Sequence, residues 1–253
     1  MNVLTEEFNA MRRVTVSLVL ISLALTACGG RRDRGAILLF NGSGASPNDV
    51  AAVETILHSN HLDYSTVNSS RLNEMGEAQL RGYRLLIVPG GNFIDMGKSL
   101  TSDTAANIRT AVGNGMNYVG ICAGAFLAGD SAYYNGFNLT SGVQFGFYSA
   151  ERQGIRRAVV PITVAGSPTL EHYWEDGPQF AGWGAVVGKY PNGTPAIVEG
   201  TSGKGWVILS GVHPEAPASW RHGMTFTTPV SVDNAYAGTL IHAALNRTQL
   251  PHY

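Results

Sequence analysis

The chain has 253 residues, room for one sizeable α/β domain or two small ones. Its formal charge is −1 with 14% charged residues, and its basic runs stop at Arg31-Arg32 and Arg156-Arg157. The clustered cations that phosphate binding needs are missing, which excludes nucleic acid as a partner. The 31 glycines follow no repeat period, so they indicate tight turns rather than a fibre.

Met11-Arg12-Arg13 followed by Val14 to Leu25 has the basic start and short apolar run of an export signal. The run falls short of the ~20 residues of a spanning helix. Glu6 and Glu7 are foreign to such a start, so Met11 is the expected true beginning. The run ends in Leu25-Thr-Ala-Cys28, which resembles a bacterial lipobox. That resemblance implies cleavage before Cys28, lipid on its thiol and a lipid anchor in the bacterial cell envelope. Gly29 is no obvious inner-membrane retention signal, so the periplasmic face of the outer membrane is the expected address. An ordinary secretory signal containing a cysteine is the alternative. Residues 1–27 are then a leader, 28–34 a polar tether and 35–253 one domain. Cys122 becomes a lone thiol in an oxidising compartment, and either burial or catalysis must account for it.

Gly35 to Phe40 is a continuous apolar run, as in a strand buried on both faces of a parallel sheet. After the loop 41–46, Ser46-Pro47-Asn48-Asp49 starts a helix with an N-cap, proline at N1 and a carboxylate at N3. Gly42-x-Gly44 lacks the third glycine of a dinucleotide loop, and no acidic residue ends a second strand. Tyr64 to Val67 and Arg84 to Pro89 are the next strands, with a weak helical signal at 72–80 between them. Ser102-Asp103 caps a helix to Val112, stopped by Gly113 and Gly115. From Leu139 to residue 200, short β-like runs split by Gly and Pro predict antiparallel elaboration at one edge. Gly205 to Ser210 is a further buried strand, and Asp233 to Asn246 a closing helix. Strands interleaved with helices predict an α/β fold with an open, mostly parallel sheet covered on both sides.

The strand Tyr118 to Ile121 runs into Cys122 with Gly120 and Gly124 on either side, the spacing G-x-C-x-G of a nucleophile elbow. A thiol there also sits at a helix N-terminus, which favours thiolate. A buried cysteine in a Gly-rich strand end is the plainer reading. Three loops that converge at the carboxyl edge of one sheet would bring Gly90-Gly91, Cys122 and His213-x-Glu215 together. His213 would help form thiolate and protonate a leaving group, and Glu215 would fix the imidazole tautomer. The N–H groups of Gly91 and Ala123 would serve as oxyanion donors. Tyr173 and Trp174 either line a substrate cleft, with Gly42, Gly44 and Gly90, or cover the sheet edge. Glu175 and Asp176 are suited to a cationic group. His58, His61, His222, His242 and His252 read as surface or helix residues, and no metal or other cofactor is expected.

The Cys122 motif with His-Pro-Glu late in the chain resembles the Cys-His-Glu triad of class I glutamine amidotransferases. Phe40-Asn-Gly-Ser-Gly-Ala-Ser-Pro, Val88-Pro-Gly-Gly, Gly120-Ile-Cys-Ala-Gly-Ala, His172-Tyr-Trp-Glu-Asp-Gly-Pro and Leu209-Ser-Gly-Val-His-Pro-Glu are together similar to the N-terminal domain of biotin-protein ligases. This resemblance spans residues 35–217 and implies a flavodoxin-like three-layer sandwich. The biotin-ligating catalytic domain is absent from it, so biotinylation is not implied. Ala123 stands where amidotransferases carry a bulkier residue, and where the related protease branch carries histidine. Nothing in the chain resembles the synthetase that takes ammonia from an amidotransferase. The implied activity is thiol-dependent cleavage of a C–N bond in a small-molecule or peptide amide. A ligand-binding or scaffolding lipoprotein that keeps only the fold is the alternative.

Overall fold

The computed structural model describes residues 36–253; the leader and tether expected over residues 1–34 lie outside them. The first half of the domain holds β1 (Ile37–Phe40), α1 (Pro47–Ser59), β2 (Tyr64–Val67), α2 (Ser69–Asn73), α3 (Glu77–Leu80) and β3 (Leu85–Val88). It continues with α4 (Phe93–Ser99), α5 (Ser102–Gly113), β4 (Asn117–Ile121) and α6 (Ala123–Ala128). The second half holds β5 (Gly146–Phe147), α7 (Ser149–Arg152), β6 (Arg157–Val164), β7 (Leu170–Glu175) and β8 (Pro178–Gln179). It ends with β9 (Ala185–Lys189), β10 (Pro195–Ser202), β11 (Gly205–Ser210), a 3-10 turn (Ala218–Arg221) and α8 (Val230–Asn246).

Nine strands form one sheet in the order β2-β1-β3-β4-β11-β10-β9-β6-β7. The first five are parallel and the last four pair antiparallel, while β5 and β8 make a small separate ladder. The expected edge elaboration is therefore almost half the sheet. Alternate residues of the parallel strands feed two cores. Ile37, Leu39, Ile87, Ile121 and Ile208 face α1 and α8, whereas Leu38, Phe40, Val88, Tyr118 and Leu209 face α4, α5 and α6. Both faces are covered, which is why these strands read as unbroken apolar runs. Each such buried side chain contributes about 1.5–3 kcal/mol. The weak helical signal at 72–80 resolves into α2 and α3, because Gly76 breaks the run and its N–H is taken by Gln79 Oε1 at 3.0 Å. Among the described residues no helix is long and apolar enough to cross a membrane.

The sheet does not stay open at its antiparallel end. His213, three residues past β11, donates its N–H to the Tyr173 carbonyl of β7 at 2.8 Å, in an isolated antiparallel bridge. The outermost strand thus curls back onto the end of the central one. A buried polar network clamps this closure from behind. Asp233 of α8 accepts from Arg221 and approaches His172 Nδ1 of β7 at 3.2 Å, and Arg221 Nη1 also donates to the Thr228 carbonyl at 2.7 Å. His172 and Asp233 are fully buried. Removing one partner leaves an uncompensated buried charge. Asp233→Asn, nearly isosteric, is expected to lower unfolding stability by about 3–5 kcal/mol, read as a reduced urea midpoint.

Candidate active site

Four loops at the carboxyl edge of the parallel strands build the site. The turn from β4 to α6 holds Cys122 at φ 49° and ψ −104°, a strained conformation for a residue with a Cβ. Its N–H is fixed on the Ser210 carbonyl of β11 at 2.8 Å. The helix after the turn comes so close to β3 that a Cβ on Gly124 would stand 2.0 Å from the Val88 carbonyl oxygen. Only glycine fits there, so the elbow spacing read from the sequence has a steric cause.

The loop after β11 brings in the imidazole. Glu215 Oε1 lies 2.9 Å from His213 Nδ1, and both residues are buried. A carboxylate on Nδ1 leaves Nε2 as the nitrogen free to exchange a proton with a thiol. Burial by itself pushes the His213 pKa down. The Glu215 charge, and then the charge and hydrogen bond of Cys122, overcome this and hold it well above the ordinary value. The Cys122 thiol also donates to the Glu175 carbonyl at 3.4 Å, so the end of β7 forms part of its surroundings.

Asp49 is the residue the sequence reading assigned only to helix capping. Its Oδ1 approaches the same His213 Nδ1 at 3.3 Å. Ser46 does cap α1, accepting from the Asp49 N–H at 3.3 Å, but the Ser46 N–H goes to the Gly90 carbonyl at 3.1 Å. The carboxylate is therefore not needed to close a capping box and turns to the imidazole. Burial, then Glu215 against the opposing pull of His213, leave its pKa raised. Asp49, His213 and Glu215 place three ligand-type atoms within 4.8 Å of one another, a donor set a divalent cation could accept. The 2.9 Å contact is nevertheless the length of a hydrogen bond, so Nδ1 is read as carrying a proton.

A cavity of about 450 Å³ opens over Cys122 and His213. One wall is aromatic: Phe93 stacks on Phe126 at 4.3 Å, and Phe147 packs edge-on to Phe126 at 5.0 Å. The other carries Asp49, Glu175 and Asp176. A second, polar cavity of about 510 Å³ shares Ser46, Asp49 and Glu175 with it and adds Arg157, Tyr173, Trp220 and His222. No sequence signal marks the phenylalanines, which come from three separate segments; His222 is exposed, as its surface reading expects, and stands at the rim of the second cavity.

The remaining expected residues divide clearly. Gly91 lines the first cavity, and its N–H meets no backbone carbonyl among the described residues; the same holds for the N–H of the fully buried Ala123. Gly90 packs directly against Asp49 and His213. Gly42 and Gly44 shape the loop from beneath, under Ser69 and Met96, and line neither cavity. Tyr173 lines the second cavity and donates its hydroxyl to Glu175 at 2.6 Å. Trp174 is fully buried core, packed edge-on to Tyr148, so it does not belong to a cleft.

Residues 35–154 match the protein family described as "Biotin-protein ligase, N terminal". No curated protein matches the sequence significantly. Among solved structures, a glutamine amidotransferase shares the fold at TM-score 0.53 and 22% identity, over 72% of this chain and 91% of its own. PurLQS from Thermotoga maritima aligns at TM-score 0.55 and 16% identity, over 81% of this chain and 97% of its own. The exo-β-1,4-mannosidase Op5Man5 from Opitutaceae bacterium strain TAV5 aligns at TM-score 0.54 and 14% identity, over 84% of this chain but 36% of its own. At these identities the likeness establishes the flavodoxin-like fold, which serves different chemistries in different proteins.

Strain at position 122 has a measurable consequence. At ordinary positions glycine is about 0.5–1 kcal/mol less stable than alanine. Cys122→Gly is expected to be at least as stable as Cys122→Ala in urea denaturation, because glycine relieves the positive φ. The usual order would show that the turn stores no strain.

Proposed function

We propose that this chain, class I glutamine amidotransferase-like in fold and matching the biotin-protein ligase N-terminal family over residues 35–154, is a thiol hydrolase that cleaves an amide C–N bond. The observation that carries this reading is the strained Cys122 turn beside an imidazole whose Nδ1 side is held by Glu215, beneath an open cavity. Cys122 Sγ attacks the amide carbonyl, and the developing oxyanion is met by the Gly91 and Ala123 N–H groups. His213 passes its Nε2 proton to the departing amine, the C–N bond breaks, and a thioester remains. Water, deprotonated by His213, then attacks the thioester and frees the acid and the thiol.

The site is furnished for a small-molecule or peptide amide. The first cavity, over Cys122, has an aromatic wall and a carboxylate wall, and the polar second cavity adjoins it through Ser46, Asp49 and Glu175. Among the described residues no Lys or Arg lines the first cavity, although the exposed Arg156 pairs with Asp176 at 3.3 Å. Burial raises the Asp176 pKa, with Arg156 acting the other way. A substrate whose acyl portion is neutral or cationic suits these carboxylates better than an anion. In this reading the enzyme is tethered through Cys28 to the bacterial envelope, on the strength of the export signal and lipobox-like end.

Cys122→Ala is expected to abolish covalent labelling by amide electrophiles, and His213→Ala to lower turnover of any labelled amide by about 10²–10⁴-fold, both read by intact-mass kinetics. Full labelling of Cys122→Ala would defeat the proposal, and an unchanged biological phenotype in that variant would favour a ligand-binding lipoprotein. Relative to glutathione, Cys122 should react about tenfold faster with 2-bromoethylammonium than with iodoacetate, a preference shrinking in high salt. Cys28→Ala should lose incorporated palmitate and leave the membrane fraction.

A further inference from the structure

The imidazole of His213 is flanked by two carboxylates, not one. Glu215 reaches Nδ1 from the core at 2.9 Å; its side chain is 1% exposed and it lines neither cavity. Asp49 reaches the same nitrogen at 3.3 Å from the first turn of α1, and it lines both cavities. The contact is built into the backbone. A Cβ on residue 90 would stand 2.0 Å from Asp49 Oδ1 and 2.8 Å from His213 Cε1, so glycine is what lets the two side chains meet. With the Ser46 N–H already on the Gly90 carbonyl, the carboxylate is not drawn back to cap its own helix.

One N–H cannot give a full hydrogen bond to both acids. The shorter contact takes the proton's direction, and the longer one adds charge on the same side of the ring. The other groups facing this ring are the Cys122 thiol from the elbow and the Tyr173 and Trp220 rings, 5.9 and 5.6 Å away. Glu175 at the end of β7 and Arg157 share the second cavity with Asp49.

The geometry points to Asp49 as a positioning residue: a second carboxylate that acts with Glu215 on Nδ1 of His213, holding the protonated ring with Nε2 toward Cys122. Of the two acids it is the one exposed to the cavities, so it is the one a bound substrate can reach. This inference rests on the thiol-hydrolase reading for its purpose, and its test separates the two. His213 is titrated by NMR in the full chain, its imidazole signal identified by loss in His213→Ala. Asp49→Asn is expected to lower the His213 midpoint by about one pH unit, since an opposite charge at this range shifts a pKa by 1–3. Asp49→Glu should restore most of the shift, which a merely structural role would not do. Asp49→Asn/Glu215→Gln should fall below Glu215→Gln alone. Asp49→Ser, which keeps a small polar residue in the first turn, serves if the amide variant does not fold. A midpoint unmoved in the Asp49 variants overturns the inference. Wild-type Cys122 reacting with iodoacetamide no faster than a free thiol overturns the hydrolase reading instead, whatever Asp49 does to the ring.

Discussion

The single contact from the His213 N–H to the Tyr173 carbonyl governs the architecture of the candidate site. β7 lies at the far edge of the nine-stranded sheet, four strands away from β11 in the hydrogen-bonded order. The bridge returns it to the end of β11. That return delivers the Glu175 carbonyl to the Cys122 thiol and sets Tyr173 and Asp176 around the cavities. Without it the parallel half would still present Cys122, His213 and Asp49 at its carboxyl edge, but without the Glu175 and Asp176 side of the cavity.

Holding a strand in that position requires support on the side away from the cavity. The His172–Asp233–Arg221 network supplies it, linking β7, the 3-10 turn and α8 through buried polar groups. Buried ion pairs are poor general sources of stability, but removing one partner leaves the other charge buried and uncompensated. Here the arrangement they favour is the one that completes the cleft. Adjacent residues of β7 therefore divide the work: His172 faces the network, the Tyr173 carbonyl faces His213, and Trp174 fills the core.

Electrostatics and strain act together at the candidate site. The elbow forces Cys122 into a conformation that residues with side chains avoid, and the close packing of Gly124 on β3 keeps it there. Around the imidazole, the Glu215 carboxylate and the Cys122 sulfur offset the cost of burying a cation, so the His213 pKa is held up where desolvation alone would lower it. A positioned proton donor next to a thiol is what amide cleavage demands, because an amine leaves poorly without a proton.

Much of this was legible in the order of residues. Apolar runs at Ile37–Phe40, Leu85–Val88 and Gly205–Ser210 marked strands covered on both faces, since local hydrophobicity is a local property. The glycines around Cys122 marked the elbow, because steric crowding within five residues needs no long-range information. His213 and Glu215 were readable as a pair, being two residues apart on one loop. Asp49 was readable only as a helix cap, Trp174 was open between cleft and core, and the phenylalanine wall was invisible. Each of these depends on how far the antiparallel strands curl and which loop meets which, a matter of packing between segments up to ~160 residues apart, fixed by mutual burial rather than by any local preference. The sequence by itself thus determined the parallel strands, the elbow and the His213–Glu215 pair. The tertiary structure alone decided what surrounds them, because walls and second partners come from chain segments that only folding brings into contact.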